Sequence, residues 1–250
     1  MLVHELGHFF TALSRGIRPN VLSIGFGPAL LRRERHGIVY QVCLLPLGGF
    51  VLFDHPMDET PRPRCLTRAP LGTQALVMVA GIVVQAVLAF GLVGAAFGIW
   101  GVPRAMLPTH AAQATGLTRK VPFVAREALA FEAVSDTLSS EVSSMASLVT
   151  GHVSLTRVQG PVGVLRITSR VLAMGPVQAV LWTAVLSLDL GIMNSLPFPG
   201  FDGGQLLALG VAALRRGRRN FRLEAHIQTA GLFVILAFTG LITVLNLWKG

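Results

Sequence analysis

Residues 71–103 read LGTQALVMVAGIVVQAVLAFGLVGAAFGIWGVP and contain no Asp, Glu, Lys or Arg. The run exceeds the roughly 20 apolar residues that a helix needs to cross a hydrocarbon core about 30 Å thick. A helix is the expected conformation, because it satisfies every backbone polar group within its own segment. Glycines at 72, 81, 91, 94 and 98 supply notches where a neighbouring helix can approach. Two more charge-free runs follow, between Arg170 and Asp189 and over residues 225–248. Together they predict spans at 71–100, at 177–204 (its apolar part ending near Leu196) and at 227–248.

Composition agrees with that reading. Only 13% of the 250 residues are charged and 52% are hydrophobic, whereas about a quarter of a soluble domain is charged. A one-domain soluble α/β enzyme is thereby disfavoured. The net charge of +9 does not point to nucleic acid, since the arginines gather between the apolar runs. Eight Lys and Arg fall between 15 and 69 and five between 215 and 222, while seven are spread over 101–174. The denser loops belong on the inner side of a membrane. This puts 15–70 and 200–225 in the cytoplasm and 101–170 outside, in a multi-pass protein of the cell membrane. Cys43 and Cys65 have no CxxC spacing and read as reduced thiols.

The remaining segments are shorter. Residues 1–15 read as a helix of about 21 Å, too short to span alone. Either it is a half-span, or the true start of the chain lies upstream. Residues 20–53 are rich in Gly, Val, Ile and Phe with short alternating stretches, and predict small strands or hairpins associated with the membrane. A basic, Pro-containing linker follows over 54–68. Within 101–174 we expect a Pro-containing loop to about 130, a Ser-rich surface helix from 131 to 156, a break at Gly160-Pro161-Val162-Gly163, and an amphipathic stretch before the next span. The fold class is therefore mainly α. It is a helical membrane bundle of three full spans plus a short first helix, with a small β hairpin or sheet, and residues 1–250 form one domain.

The chemistry begins at His4-Glu5-Leu6-Gly7-His8. Residues four apart lie on one face of a helix, so both imidazoles can meet one metal ion. Glu5 sits beside the first ligand, where it can accept a proton from water that zinc has acidified. The flanking Leu2, Val3, Phe9 and Phe10 make an apolar setting in which two His and a Glu are costly without a task. A hydrolytic zinc site takes a third protein ligand and keeps one position open. The candidate is Asp202, in Asn194-Ser195-Leu196-Pro197-Phe198-Pro199-Gly200-Phe201-Asp202-Gly203-Gly204. Prolines stop the helix, and the paired glycines allow close packing around the carboxylate. The plain alternative makes Asp202 the cap of a following helix. Depth favours the ligand reading: His8 lies about 10 Å of helix rise before Arg15, and Asp202 lies just past the same end of its span.

With both motifs in view, the chain resembles the site-2 proteases, particularly the bacterial branch that releases membrane-held regulators. HELGHF at 4–9 matches that family's HExxH helix, and 194–204 resembles its Asn-x-x-Pro-x-Pro-x-x-Asp-Gly-Gly motif. Phe26-Gly27-Pro28, Leu45-Pro46-Leu47-Gly48-Gly49-Phe50 and Gly160-Pro161-Val162-Gly163 resemble further signatures. The resemblance implies one Zn²⁺ held by His4, His8 and Asp202, with Glu5 as the catalytic base. It implies that Asn194 contacts substrate or the developing oxyanion. Strands near 39–53 would pair with an unwound substrate segment, with Gly48, Gly49, Phe50, Asn194, Pro197 and Pro199 contributing to substrate binding. The implied partners are single-pass membrane proteins, such as anti-sigma-factor-like regulators or remnant signal peptides, within a lipid bilayer.

The sequence departs from the family in three places. Its first segment begins at the motif, its second span reads Ala80-Gly81-Ile82-Val83-Val84-Gln85 where relatives often carry Gly-Pro and Asn, and residues 101–130 leave no room for a PDZ domain. Two other functions compete with proteolysis. A catalytically idle relative would not need Glu5, and a zinc transporter would string its ligands along several spans rather than gather them at one depth. His36, His55, His110, His152 and His226 lack ligand spacing and read as surface residues. Asp189, inside a span, is either a partner to the site or an interhelical bond.

Overall fold

The computed structural model describes residues 1–53, 65–103, 118–119, 121–150, 160–215 and 221–249. In chain order the elements are α1 (Leu2–Ser14), β1 (Val21–Arg35), β2 (Ile38–Leu52), α2 (Leu71–Trp100), β3 (Val102–Pro103), β4 (Thr118–Arg119), α3 (Phe123–Val149), α4 (Pro161–Met174), α5 (Pro176–Ser195), α6 (Asp202–Leu214) and α7 (Phe221–Lys249). Among the described residues three helices are long and apolar enough to cross a membrane: Leu71–Trp100, Pro176–Ser195 and Leu223–Val244. Most of their apolar side chains face outward, as in Val87, Ile99, Phe233, Val234 and Leu236. Hydrocarbon is the solvent such surfaces fit.

Contacts divide the chain into two compact units, residues 1–85 with 193–235, and residues 86–192 with 236–250. In the first, Ala12 and Ile17 from the end of α1 pack with Val77 and Met78 of α2, Leu209 of α6 and Leu66. β1 and β2 pair antiparallel, and β2 returns along β1 so that residues 21–24 are flanked twice. Val21 pairs with both Val39 and Leu52, and Ile24 with both Val42 and Gly49. The strands are longer than the short hairpins expected from sequence, because the turn at His36-Gly37 and the positive-φ glycines at 25 and 27 bend the ribbon without ending its pairing.

In the second unit, Ala89, Val93 and Phe97 of α2 pack with Ala130 of α3 and with Ala184 and Leu188 of α5. Helix α3 starts at Phe123, earlier than the expected 131, since Pro122 fits the start of a helix as readily as it fits a loop. Similarly, Gly160 and Pro161 open α4 rather than only breaking the chain: Gly160 is the N-cap and Pro161 the first helical residue. Asp189 of α5 faces Glu141 of α3, and its Oδ1 is buried without a hydrogen-bond partner among the described residues. The span glycines also differ from expectation. Gly94 and Gly98 leave space for the side chains of Glu127 and Arg126 rather than for a helix backbone, and nothing lies against Gly72 or Gly91.

The segment that presents the candidate third ligand is not a continuous span to 204. Helix α5 stops at Ser195, and α6 begins anew at Asp202 with Phe201 as its N-cap. A Cβ on Gly203 would overlap the carbonyls of Ser195 and Leu196, and one on Gly204 would overlap that of Phe198. Two bare glycines therefore let α6 start directly against the chain it has just left. Gly203→Ala is expected to cost about 1–3 kcal/mol through overpacking, read as a lower thermal unfolding midpoint at unchanged expression. An unchanged midpoint would show that this close approach is dispensable.

Candidate metal centre

His4, Glu5 and His8 share the face of α1 that turns inward, and His4 and His8 are 4% and 5% exposed. Their Nε2 atoms lie 3.0 Å apart. Asp202 enters from the first turn of α6, its Oδ2 at 3.0 Å from His4 Nε2 and 3.1 Å from His8 Nε2. Three ligand atoms from segments almost two hundred residues apart thus form a small triangle. The His8 Nδ1 lies 2.7 Å from the carbonyl of Val77 in α2. That carbonyl can only accept, so Nδ1 carries the proton and Nε2 presents its lone pair to Asp202 and His4.

This donor set fits zinc. Asp202 Oδ2 is buried in front of two imidazole nitrogens, yet no well-aligned hydrogen bond satisfies it. A Zn–N distance of about 2.0–2.1 Å separates neighbouring ligands of a tetrahedron by roughly 3.3 Å, close to the observed triangle. Burial pushes the Asp202 carboxyl up, but the adjoining His4 and His8 outweigh it and leave it below the usual carboxylate range. For Glu5, burial dominates and the pKa rises, against the opposing pull of His8 and His4. The amide of Val51 donates to Glu5 Oε2 at 3.1 Å and fixes its direction.

That amide is available because of strand alternation. Leu52 turns its carbonyl to Asn20 at 2.6 Å, so Val51, the next residue, turns its backbone outward. The site opens into a cleft of about 540 Å³, lined on one wall by Phe50, Val51 and Leu52 and by Asn194 near Asp202. Of the residues expected to bind substrate, Phe50 and half-buried Asn194 line this cleft. Gly48, Gly49, Pro197 and Pro199 do not. Gly49 lies against the Ser23 carbonyl, and Gly48 adopts φ +99° beside Met1. Histidines 55, 110 and 152 lie outside the described residues, and His36 and His226 are not part of the metal-ligand group.

Sequence reasoning assigned Gly81 to helix packing and gave Val77 no role. A Cβ on Gly81 would stand 2.6 Å from His4 Cε1, His8 Cε1 and His8 Nε2. One turn of α2 thus supplies both the acceptor that orients His8 and the bare backbone on which both rings rest. Gly7 complements it, lying where a Cβ would be 2.9 Å from the Ala80 carbonyl. Only the spacing of Val77 and Gly81 could have hinted at this, because the rotation of α2 against α1 is not encoded locally.

The chain belongs to peptidase family M50, whose model matches residues 1–238, and it is a zinc metalloprotease of the site-2 protease type. It is similar to a Nostoc sp. protein named as a zinc metalloprotease, with 25% identity across 94% of this chain and 89% of that protein. It is also similar to zinc metalloprotease RasP of Oceanobacillus iheyensis, 43% identical over 34% of this chain and 20% of the relative. The regulator of sigma-W protease RasP of Bacillus subtilis is 36% identical over 49% of this chain and 28% of its own length. The Nostoc alignment runs over 325 positions while drawing on 94% of 250 residues, so that relative carries segments absent here.

Gly81→Ala is expected to push both imidazoles off their seat. At about 1–3 kcal/mol of overpacking, zinc affinity falls by roughly five- to a hundredfold, measurable by chelator competition. Wild-type affinity in this variant would mean that the rings have room to yield.

Proposed function

We propose that residues 1–250 act as one membrane-embedded endopeptidase domain that cuts transmembrane or membrane-proximal segments of other membrane proteins. His4, His8 and Asp202 hold zinc, and Glu5 is the general base. The observation that carries this reading is the buried triangle of two Nε2 atoms and one carboxylate oxygen, with Glu5 at its side. Zinc at such a site acidifies water and polarises the scissile carbonyl. Glu5 takes the proton from the attacking water and returns it to the departing amine. Its burial raises its pKa and suits it to hold that proton between the two steps. Val51 keeps the carboxylate from swinging out of line.

Substrate enters as an extended strand. A helix buries its peptide groups in its own hydrogen bonds, whereas a strand laid beside the 50–52 edge exposes them to the site. Asn194, at the end of α5 and in the cleft, donates to the oxyanion that forms during attack. The substrates are single-pass membrane proteins such as anti-sigma-factor-like regulators or remnant signal peptides. Supporting the former, the Bacillus subtilis relative is named a regulator of sigma-W protease. The charge distribution supports an active site near the cytoplasmic side of a multi-pass protein. The intact Glu5 and the gathering of ligands at one point favour this over an idle scaffold or a zinc transporter.

Glu5→Gln should keep one zinc per chain yet lower cleavage of a model transmembrane substrate by roughly 10²–10⁴. Asp202→Ala should lose zinc and activity together. Metal analysis beside a detergent cleavage assay checks both. Normal cleavage by the first variant removes Glu5 from the mechanism, and full zinc affinity in the second removes Asp202 from the ligand set.

Asn194→Ala is expected to slow single-turnover cleavage by roughly 10²–10³ while zinc content and melting temperature stay near wild type. A destabilised variant with a normal single-turnover rate would instead make Asn194 an interhelical bond.

A further inference from the structure

Gln228 of α7 lines the same cleft as Glu5, Asp202 and the 50–52 strand. Its Oε1 accepts the Gly200 amide at 2.5 Å. A backbone N–H can only donate, so the oxygen of the Gln228 amide must face Gly200 and its NH₂ group must face elsewhere. The turn that imposes this orientation has no slack. Gly200 adopts φ +102°, and a Cβ on it would meet Ile235 Cδ1 at 3.1 Å and the Leu232 nitrogen at 3.2 Å. A Cβ on Gly231 would overlap the Pro199 carbonyl. Helix α7 is therefore seated directly on the turn that precedes Asp202, and the NH₂ group of Gln228 has no hydrogen-bond partner among the described residues.

We propose that Gln228 is a substrate-binding residue whose NH₂ group, held in orientation by Gly200, donates to a backbone carbonyl of an extended peptide in the cleft. The inference rests on reading the cleft as a peptide site. An extended strand presents carbonyls along both of its edges. The 50–52 edge can serve only one of them, and its Val51 amide is already engaged by Glu5. A carbonyl on the far edge, taken out of water without a donor, would be left unsatisfied at a cost in affinity. Gln228 meets that carbonyl from the α7 wall. Recognition of this kind reads the backbone and not the side chains, so it fits any sequence that can be drawn into an extended form.

The test separates the two ends of the amide. Gln228→Glu keeps an acceptor for Gly200 and removes both donors, while Gln228→Met is uncharged and removes everything. Each is made in the Glu5→Gln background for binding and in the active protein for turnover, with an extended peptide that carries no charged side chain. For Gln228→Glu we expect about a tenfold loss of peptide affinity and of kcat/KM, with zinc content and melting temperature unchanged. Gln228→Met should lose the same affinity and also melt earlier, since Gly200 loses its acceptor. Unchanged affinity in either variant overturns the proposal. So does a Gln228→Glu protein whose zinc content and melting temperature fall in step with its affinity, because Gln228 would then only hold the turn. If the parent binds the peptide but does not cleave it, a tenfold loss of binding still supports Gln228 while proteolysis by this site fails.

Discussion

The carboxylate of Asp202, a residue 9% exposed, faces two imidazole nitrogens at 3.0 and 3.1 Å. Placing that group where water cannot solvate it is costly unless something else meets its charge. Much of the first unit can be understood as the means of making that placement possible. Bare backbone at Gly203 and Gly204 lets α6 begin against the end of α5, and bare backbone at Gly81 gives the imidazoles a seat on α2. The Val77 carbonyl selects the tautomer in which His8 turns a lone pair to the centre. Each glycine removes a methyl group's worth of space where a helix, a ring or a turn must come within contact distance.

The second constraint is set by the strand. The activity proposed for this site, on membrane-embedded chains, would meet peptide bonds that are already hydrogen-bonded within helices. The ribbon formed by β1 and β2 brings the 50–52 edge to the metal centre, where one of its amides holds Glu5 and its side chains wall the cleft. In the proposed mechanism, base orientation and substrate presentation would draw on the same few residues. Opposite them, α7 closes on the Pro199-Gly200 turn through Gly231 and Gln228. Displacement of α7 would therefore be felt at the segment carrying Asp202.

Much of this was legible in the sequence, and the reason is that the relevant signals are local. The charge-free runs specify helices because the backbone has no other way to satisfy itself in hydrocarbon. The His4–His8 spacing specifies one face because 3.6 residues make a turn. Pro197, Pro199 and the Gly203-Gly204 pair specify a stop and a close approach. Boundaries set by weaker preferences were read less well. Pro122 and Gly160-Pro161 look like breaks, although both also suit the entry to a helix: Pro122 immediately precedes α3 and its carbonyl accepts the Arg126 amide, and Gly160 caps α4 with Pro161 as its first residue.

The sequence by itself determined which apolar runs form the three long helices, which pair of histidines shares a face, and which carboxylate is able to reach them. Tertiary structure alone decided that Val77 and Gly81 lie behind those histidines, that Val51 holds Glu5, and that Gln228 faces the cleft from α7. Local spacing follows from the fixed geometry of a helix turn or a strand. Contacts between segments depend instead on how far each helix is rotated and shifted against the next, which is set by the packing of many side chains at once.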